Sequence, residues 1–332
     1  MRDALRGVFI ALVLLFSFGL AMPTQVHAEP LKIGYSDWPG WIAWEVAIQK
    51  GFFKDAGVDV QFVWMEYLPS MDAFSAGKVD AVLMTNGDAM VTGSAGKAST
   101  CILLTDYSNG NDMIVGKPGI ASLKDLKGKT IGLEQNLVEH LLFLKALEMN
   151  GMKESDVTLK NVPTNDTPQA LASGSVDAIA AWYPVAGQAL KQVGGSKPLF
   201  TSADAKGLIY DGLYVDKASL AKHKADWTKI SEVWFKTVAY IKDPATKDDA
   251  IKIMAGKVNV APADYEKNLS GTFLLDLPGN VAAYEKKDEL SSVYGSSKLA
   301  NDFNVKHGAY KEAADVDSFL SPAIIKALAE KK

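Results

Sequence analysis

Two periodicities alternate along the chain. Short continuous apolar runs at 31–35, 58–63 and 79–84 read as buried strands. Between them, spaced apolar positions predict helices at 41–50, stopped by Gly51, and at 71–76, capped by Gly77. The order then returns: strands at 130–133, 157–162 and 176–181, with helices at 138–150 and 168–173 ending before Gly151 and Gly174. Strands alternating with helices predict an α/β architecture with mostly parallel sheets.

The return is a repeat in sequence as well as in pattern. Residues 73–82 (AFSAGKVDAV) match residues 170–179 (ALASGSVDAI), 97 positions on. Ile33-Gly34 matches Ile131-Gly132, 98 positions on. Two separated matches at nearly one offset predict two copies of one β/α unit, hence two similar lobes with a cleft between them. The Asn-, Gly- and Ser-rich stretch 106–112 suits one hinge crossing, and 201–207 suits the second. Residues from 208 onward then return to the first lobe and add helices at 227–241 and 247–254. The pattern over 279–317 is too weak to assign.

The N-terminus has a different character. Arg2 and Arg6 precede an apolar stretch over 8–22, Pro23 ends it, and Val26 and Ala28 place small side chains where signal peptidase reads. A secretory leader cut after Ala28 is expected, with export to the periplasm. No cysteine follows the apolar stretch to carry a lipid anchor. The remaining 304 of 332 residues suit two lobes: 29–108 with 208–332, and 109–207.

Composition narrows the partners. The chain carries a net charge of −4, and its leader holds both arginines, Arg2 and Arg6. Acidity without clustered basic residues argues against nucleic acid. Cys101 is the one cysteine, so no internal disulfide is available, and its apolar surroundings predict a buried thiol. His140, His223 and His307 are not spaced as metal ligands, so no metal or cofactor is expected.

Ligands of open parallel sheets bind beyond the carboxyl ends of the strands. The repeat therefore selects four loops: Asp37, Trp38 and Trp41 after one first strand, and Glu134, Gln135 and Asn136 after the other; Asn86 and Asp88 after one third strand, and Trp182 and Tyr183 after the other. Asp211, just past the second crossing, completes the candidate set. Trp44 is expected to pack against the sheet, and Glu45 and His140 to lie on helix surfaces. Asp37 could instead cap its helix, and Asn86 and Asp88 could serve the turn. Aromatic faces with carboxylates suit a compact cation.

Several segments together resemble the nitrate/taurine/sulfonate family of ABC-importer binding proteins: LKIGY at 31–35, GFFKDAG at 51–57, AGKVD at 76–80, TNGD at 85–88, SLKDLKGKT at 122–130 and VDAIAAWYP at 176–184. The resemblance spans about residues 31–240. It implies the type II periplasmic-binding-protein fold, a monomer that closes on a small molecule, and the membrane subunits of an ABC importer as partners. Sulfonate-binding members carry Gly-Ser-Ser or Gly-Ser-Thr at the first helix of the second lobe; this chain has Asn136-Leu137-Val138, preceded by Glu134. That departure points from an oxyanion toward a cationic or amide-like nitrogen compound, with taurine, sulfonate or nitrate as the alternative. Pyrimidine-synthesising relatives use a cysteine-rich motif, which a chain with Cys101 alone lacks, so a binding protein rather than an enzyme is expected.

Overall fold

The computed structural model describes residues 29–331. Its strands are β1 (Leu31–Tyr35), β2 (Val60–Trp64), β3 (Ala81–Thr85), β4 (Ser99–Ser108), β5 (Asp112–Gly116), β6 (Thr130–Leu133), β7 (Thr158–Asn161), β8 (Ala178–Trp182), β9 (Lys197–Thr201), β10 (Tyr210–Asp216) and β11 (Thr272–Leu274). They form two sheets, ordered β11-β4-β10-β3-β1-β2 and β7-β6-β8-β5-β9. The expected leader lies outside the described residues. Among those described, no helix is long and apolar enough to cross a membrane.

The repeat is visible in the pairing register. β1 pairs in parallel with β3 through Ile33 and Ala81, and β6 pairs in parallel with β8 through Ile131 and Ala178. The repeated aspartates do the same work in each copy. Asp80 accepts the Lys32 backbone N–H at 2.9 Å, and Asp177 accepts that of Thr130 at 2.9 Å. Each of these acids follows a glycine in the left-handed region, Gly77 at φ 68° and Gly174 at φ 74°, where a side chain would be strained. β3 and β8 are buried along their whole length, which is why both read as unbroken apolar runs.

The chain passes between the sheets twice. β4 leads through residues 109–111 into β5, and β9 leads through residues 202–209 back to β10. The crossings are laced together: Ser202 Oγ lies 2.6 Å from Ser108 Oγ and accepts the Gly110 N–H at 2.7 Å.

Some elements differ from the sequence expectation. The helix expected over 41–50 is two pieces, Pro39–Ile42 and Trp44–Gln49, opened by Pro39 at the first helical position. The helix expected from 71 begins at Tyr67. The unassigned tail contains helices Leu277–Ala283 and Val293–Lys306. The latter buries Gly, Ser and Asn rather than large apolar residues, so it carries little helical hydrophobic signal.

Candidate ligand site

The carboxyl ends of β1, β3 and β8 converge between the sheets. Trp38 precedes the helix that Pro39 starts, and its indole N–H donates to Asp106 Oδ1 at 2.8 Å. Trp41, inside that short helix, lies 5.1 Å from the ring of Tyr67. Trp182 arrives from the other sheet at the end of β8. Its indole N–H reaches Asp37 Oδ1 at 3.0 Å, and its ring meets Tyr67 edge to face at 5.6 Å. These contacts hold the two sheets closed on one another. They narrow the cleft to a cavity of about 10 Å³, lined by the three tryptophans, Tyr67, Thr85, Val138, Ile209, Asp112 and Asp211. That is room for about one water, so a ligand enters as the lobes part.

Carboxyl groups dominate the polar part of this wall. Asp211 lies on β10 directly between Thr85 of β3 and Asp106 of β4. It is thus the cross-strand partner of Asp106. Asp112 opens β5 opposite Trp182, and helix Val138–Met149, which carries the buried Glu139, packs on β5. Asp88 sits behind, accepting the Tyr67 hydroxyl at 2.7 Å.

All five acids are buried, and burial is the main reason that each holds its proton more tightly than usual. Asp88 and Asp106 are pushed up to about 7 and Asp112 to about 6. Asp211 and Glu139 are raised well above the carboxylate range, by burial first and then by the neighbouring acid. Among the described residues, no lysine forms an ion pair with any of the five. Asp106 Oδ2, Asp112 Oδ2, Asp211 Oδ2 and both Glu139 oxygens have no hydrogen-bond partner. Buried acceptors left so cost stability unless a ligand supplies donors. Nothing in this constellation supplies an oxyanion with fixed positive charge.

The sequence candidates fall into three groups. Trp38, Trp41, Trp182 and Asp211 line the cavity, and Asp37 is tied to it through Trp182. Glu134 lies at an adjoining crevice with Asp37, held by the Thr164 hydroxyl at 2.9 Å; burial raises its carboxyl, and Thr164 opposes the rise. The remaining five do not line the cavity. Asn86 is buried but spent on structure, bonding Ser296, Ser297 and the Tyr210 backbone. Asp88 acts through Tyr67. Gln135 and Asn136 are exposed, because the loop after β6 turns outward with Asn136 at φ 65°. Tyr183 points away and packs near Tyr265, 6.3 Å between rings.

Trp44 is fully buried against Trp234 at 4.8 Å, as expected. Glu45, expected on the surface, is buried and paired with Lys257 at 2.8 Å and with the Tyr35 hydroxyl. His140 is likewise buried, because helix Val293–Lys306 from the unassigned tail brings Phe303 and His307 over it.

Sequence reasoning missed Tyr67, Asp106, Asp112 and Glu139. A signal was present for two of them: Asp106 and Asp112 bracket the first crossing, and an acid inside the apolar run 101–107 is unusual for a strand.

Gly40 shows how closely this wall is fitted. A Cβ there would overlap the Asp106 carboxylate, which is itself fixed by Trp38. Gly40→Ala is expected to cost about 1–3 kcal/mol of stability. In a double-mutant cycle with Asp106→Ala, thermal melts should recover most of that loss. Equal losses in both backgrounds would mean that the clash is not with Asp106.

Two α/β lobes, two crossings and an enclosed cleft define the periplasmic-binding-protein fold. The chain belongs to the family described as NMT1/THI5 like, which its residues 38–247 match. A binding protein of Brucella abortus is 29% identical over 203 residues, covering 60% of this chain and 62% of that one. The chain thus spans about three-fifths of that relative's length. Among solved structures, the periplasmic aliphatic sulphonate binding protein SsuA of Escherichia coli superposes with a TM-score of 0.72 at 18% identity, over 88% of this chain and 92% of that one. The desulfurization enzyme DSZB shares the fold too, with a TM-score of 0.67 at 14% identity over 92% of this chain and all of that one.

Proposed function

We propose that this protein is the extracytoplasmic solute receptor of an ABC importer, closing on a small nitrogen-containing cation and delivering it to the membrane subunits. The lobes are 29–108 with 208–332, and 109–207. One observation carries the choice of ligand: Asp112 and Asp211, each with a buried carboxyl oxygen that has no hydrogen-bond partner, line an aromatic cavity that has no lysine or arginine. A cation with N–H groups supplies both the missing donors and the missing charge. The rings of Trp38, Trp41 and Trp182 add cation–π attraction of about 0.5–2 kcal/mol each where they face it. Asp211 comes from one lobe and Asp112 from the other, so a ligand bonded to both stabilises the closed form over the open one. That difference in affinity is what drives closure.

The name of the sulphonate-binding structure favours a second reading, in which an oxyanion occupies the same cleft. Its cost here is severe, because the anion would face Asp112 and Asp211 and require them protonated. Calorimetry separates the two. Guanidinium, methylammonium and related amines are expected to bind at least a hundredfold more tightly than taurine, ethanesulfonate or nitrate. Tight sulfonate binding with no response to cations would reject the cation. A catalytic role is not part of the proposal: Cys101 is buried between Leu103 and Tyr284, and burial pushes its thiol up to about 11, far from a thiolate nucleophile.

A further inference from the structure

The two acid–acid contacts allow one step more, which rests on the cation reading above. Asp106 with Asp211, cross-strand partners, and Asp112 with Glu139, on packed elements, are neighbouring buried carboxyls; each has an oxygen with no hydrogen-bond partner, and no cation stands beside them. Two like charges so placed do not both ionise, so each pair retains a proton. Each pair therefore carries at most one negative charge while the cleft is empty and closed. The pairs come from different lobes; Asp211 and Asp112 line the cavity, and each has a buried oxygen with no hydrogen-bond partner.

We infer that ligand binding is an exchange: a monovalent cation with N–H donors on opposite sides bridges Asp211 and Asp112, and one carboxyl proton leaves for solvent. The O–H bond of one acid breaks, its electron pair stays on the carboxylate, and the arriving positive charge replaces the departing one. A cation without N–H groups, such as tetramethylammonium, can neutralise the charge but leaves the acceptors unfilled, so it is discriminated against.

The other titratable groups facing the pairs do not supply a competing positive charge. Asp88 lies behind both pairs and adds negative potential. Tyr265 stands near Asp106, and Tyr214 and Cys101 near Asp211; all are buried and neutral at pH 7.

The test is calorimetric, on the whole chain with guanidinium chloride at millimolar concentration or below. Binding heats compared at pH 7 in phosphate and in Tris give the number of protons released, expected to be about one. Affinity should correspondingly tighten by up to tenfold per pH unit between pH 5 and 7. Tetramethylammonium should bind at least thirtyfold more weakly. Glu139→Gln keeps a donor for Asp112 but has no proton to give, and Asp106→Asn does the same for Asp211; one of the two variants should at least halve the release. Equal heats in both buffers with pH-independent affinity would overturn the exchange while leaving a cation receptor intact. Undiminished release in both variants would overturn the role of these pairs. Failure of every cation alongside tight sulfonate binding would overturn the ligand reading itself.

Discussion

Asp211→Asn is expected to weaken cation binding roughly thirtyfold or more while leaving the ligand-free protein folded. Asparagine has the same shape, and its amide can donate to the neighbouring Asp106, so β10 keeps its place between β3 and β4. What is lost is the capacity to carry negative charge toward the ligand. Removing one partner of a buried charge pair costs about 2–5 kcal/mol, which corresponds to roughly thirtyfold to several thousandfold in affinity. The free protein should melt no lower than wild type, because an acid held under electrostatic strain has been replaced by a neutral group. Titration calorimetry with guanidinium and a melting curve make the two measurements. Affinity within threefold of wild type would remove Asp211 from the site. A collapsed melting temperature would assign it a structural role instead.

The distribution of legible and illegible residues follows contact order. The β/α repeat was readable because each copy repeats the same local demands: a glycine cap, then Val-Asp-Ala opening the next strand. The register through Ile33 and Ala81, and through Ile131 and Ala178, restates those offsets in space. Trp38, Trp41 and Trp182 were readable because a residue just past a parallel strand faces the cleft whatever else surrounds it. Asp106 was not. Its significance depends on β10, a strand more than a hundred residues later that sets Asp211 beside it. Glu139 looked like an ordinary acid in a first helical turn until the second lobe placed Asp112 against it. Glu45 and His140 misled for the same reason. Each is polar on a helix, and each is buried by a segment distant in sequence, Lys257 over the first and Phe303 with His307 over the second. Local pattern locates strand ends; only tertiary pairing reveals which acids share a proton.

Without ligand, the protein is expected to lose thermal stability as pH rises from about 5 to about 8. Asp37 and Asp112 titrate at about 6 and Asp88 and Asp106 at about 7, all raised first by burial from an ordinary value of 3.8. In the unfolded chain the same groups ionise near 4. Between those limits the folded state binds more protons than the unfolded one, so raising the pH favours unfolding. The stability is fully present below about pH 4 and is progressively lost as pH passes the folded values. Surface acids work in the opposite sense but lower down. Asp125, held by the backbone N–H groups of Ala121 and Ser122, and Asp177, held by Lys117 and the Thr130 N–H, are depressed and lose their contribution only as pH falls below about 4. The maximum should therefore lie near pH 4–5, with a melting temperature at pH 8 lower by roughly 5–10 °C. A saturating cation should flatten this slope, because its charge sustains the ionised carboxyls that the empty cleft cannot. The shift produced by guanidinium should accordingly be larger at pH 8 than at pH 5. Melting curves that climb steadily from pH 5 to 8 without ligand would mean that these carboxyls ionise freely in the folded protein, and a cleft able to hydrate them that well would have no need of a cation to close.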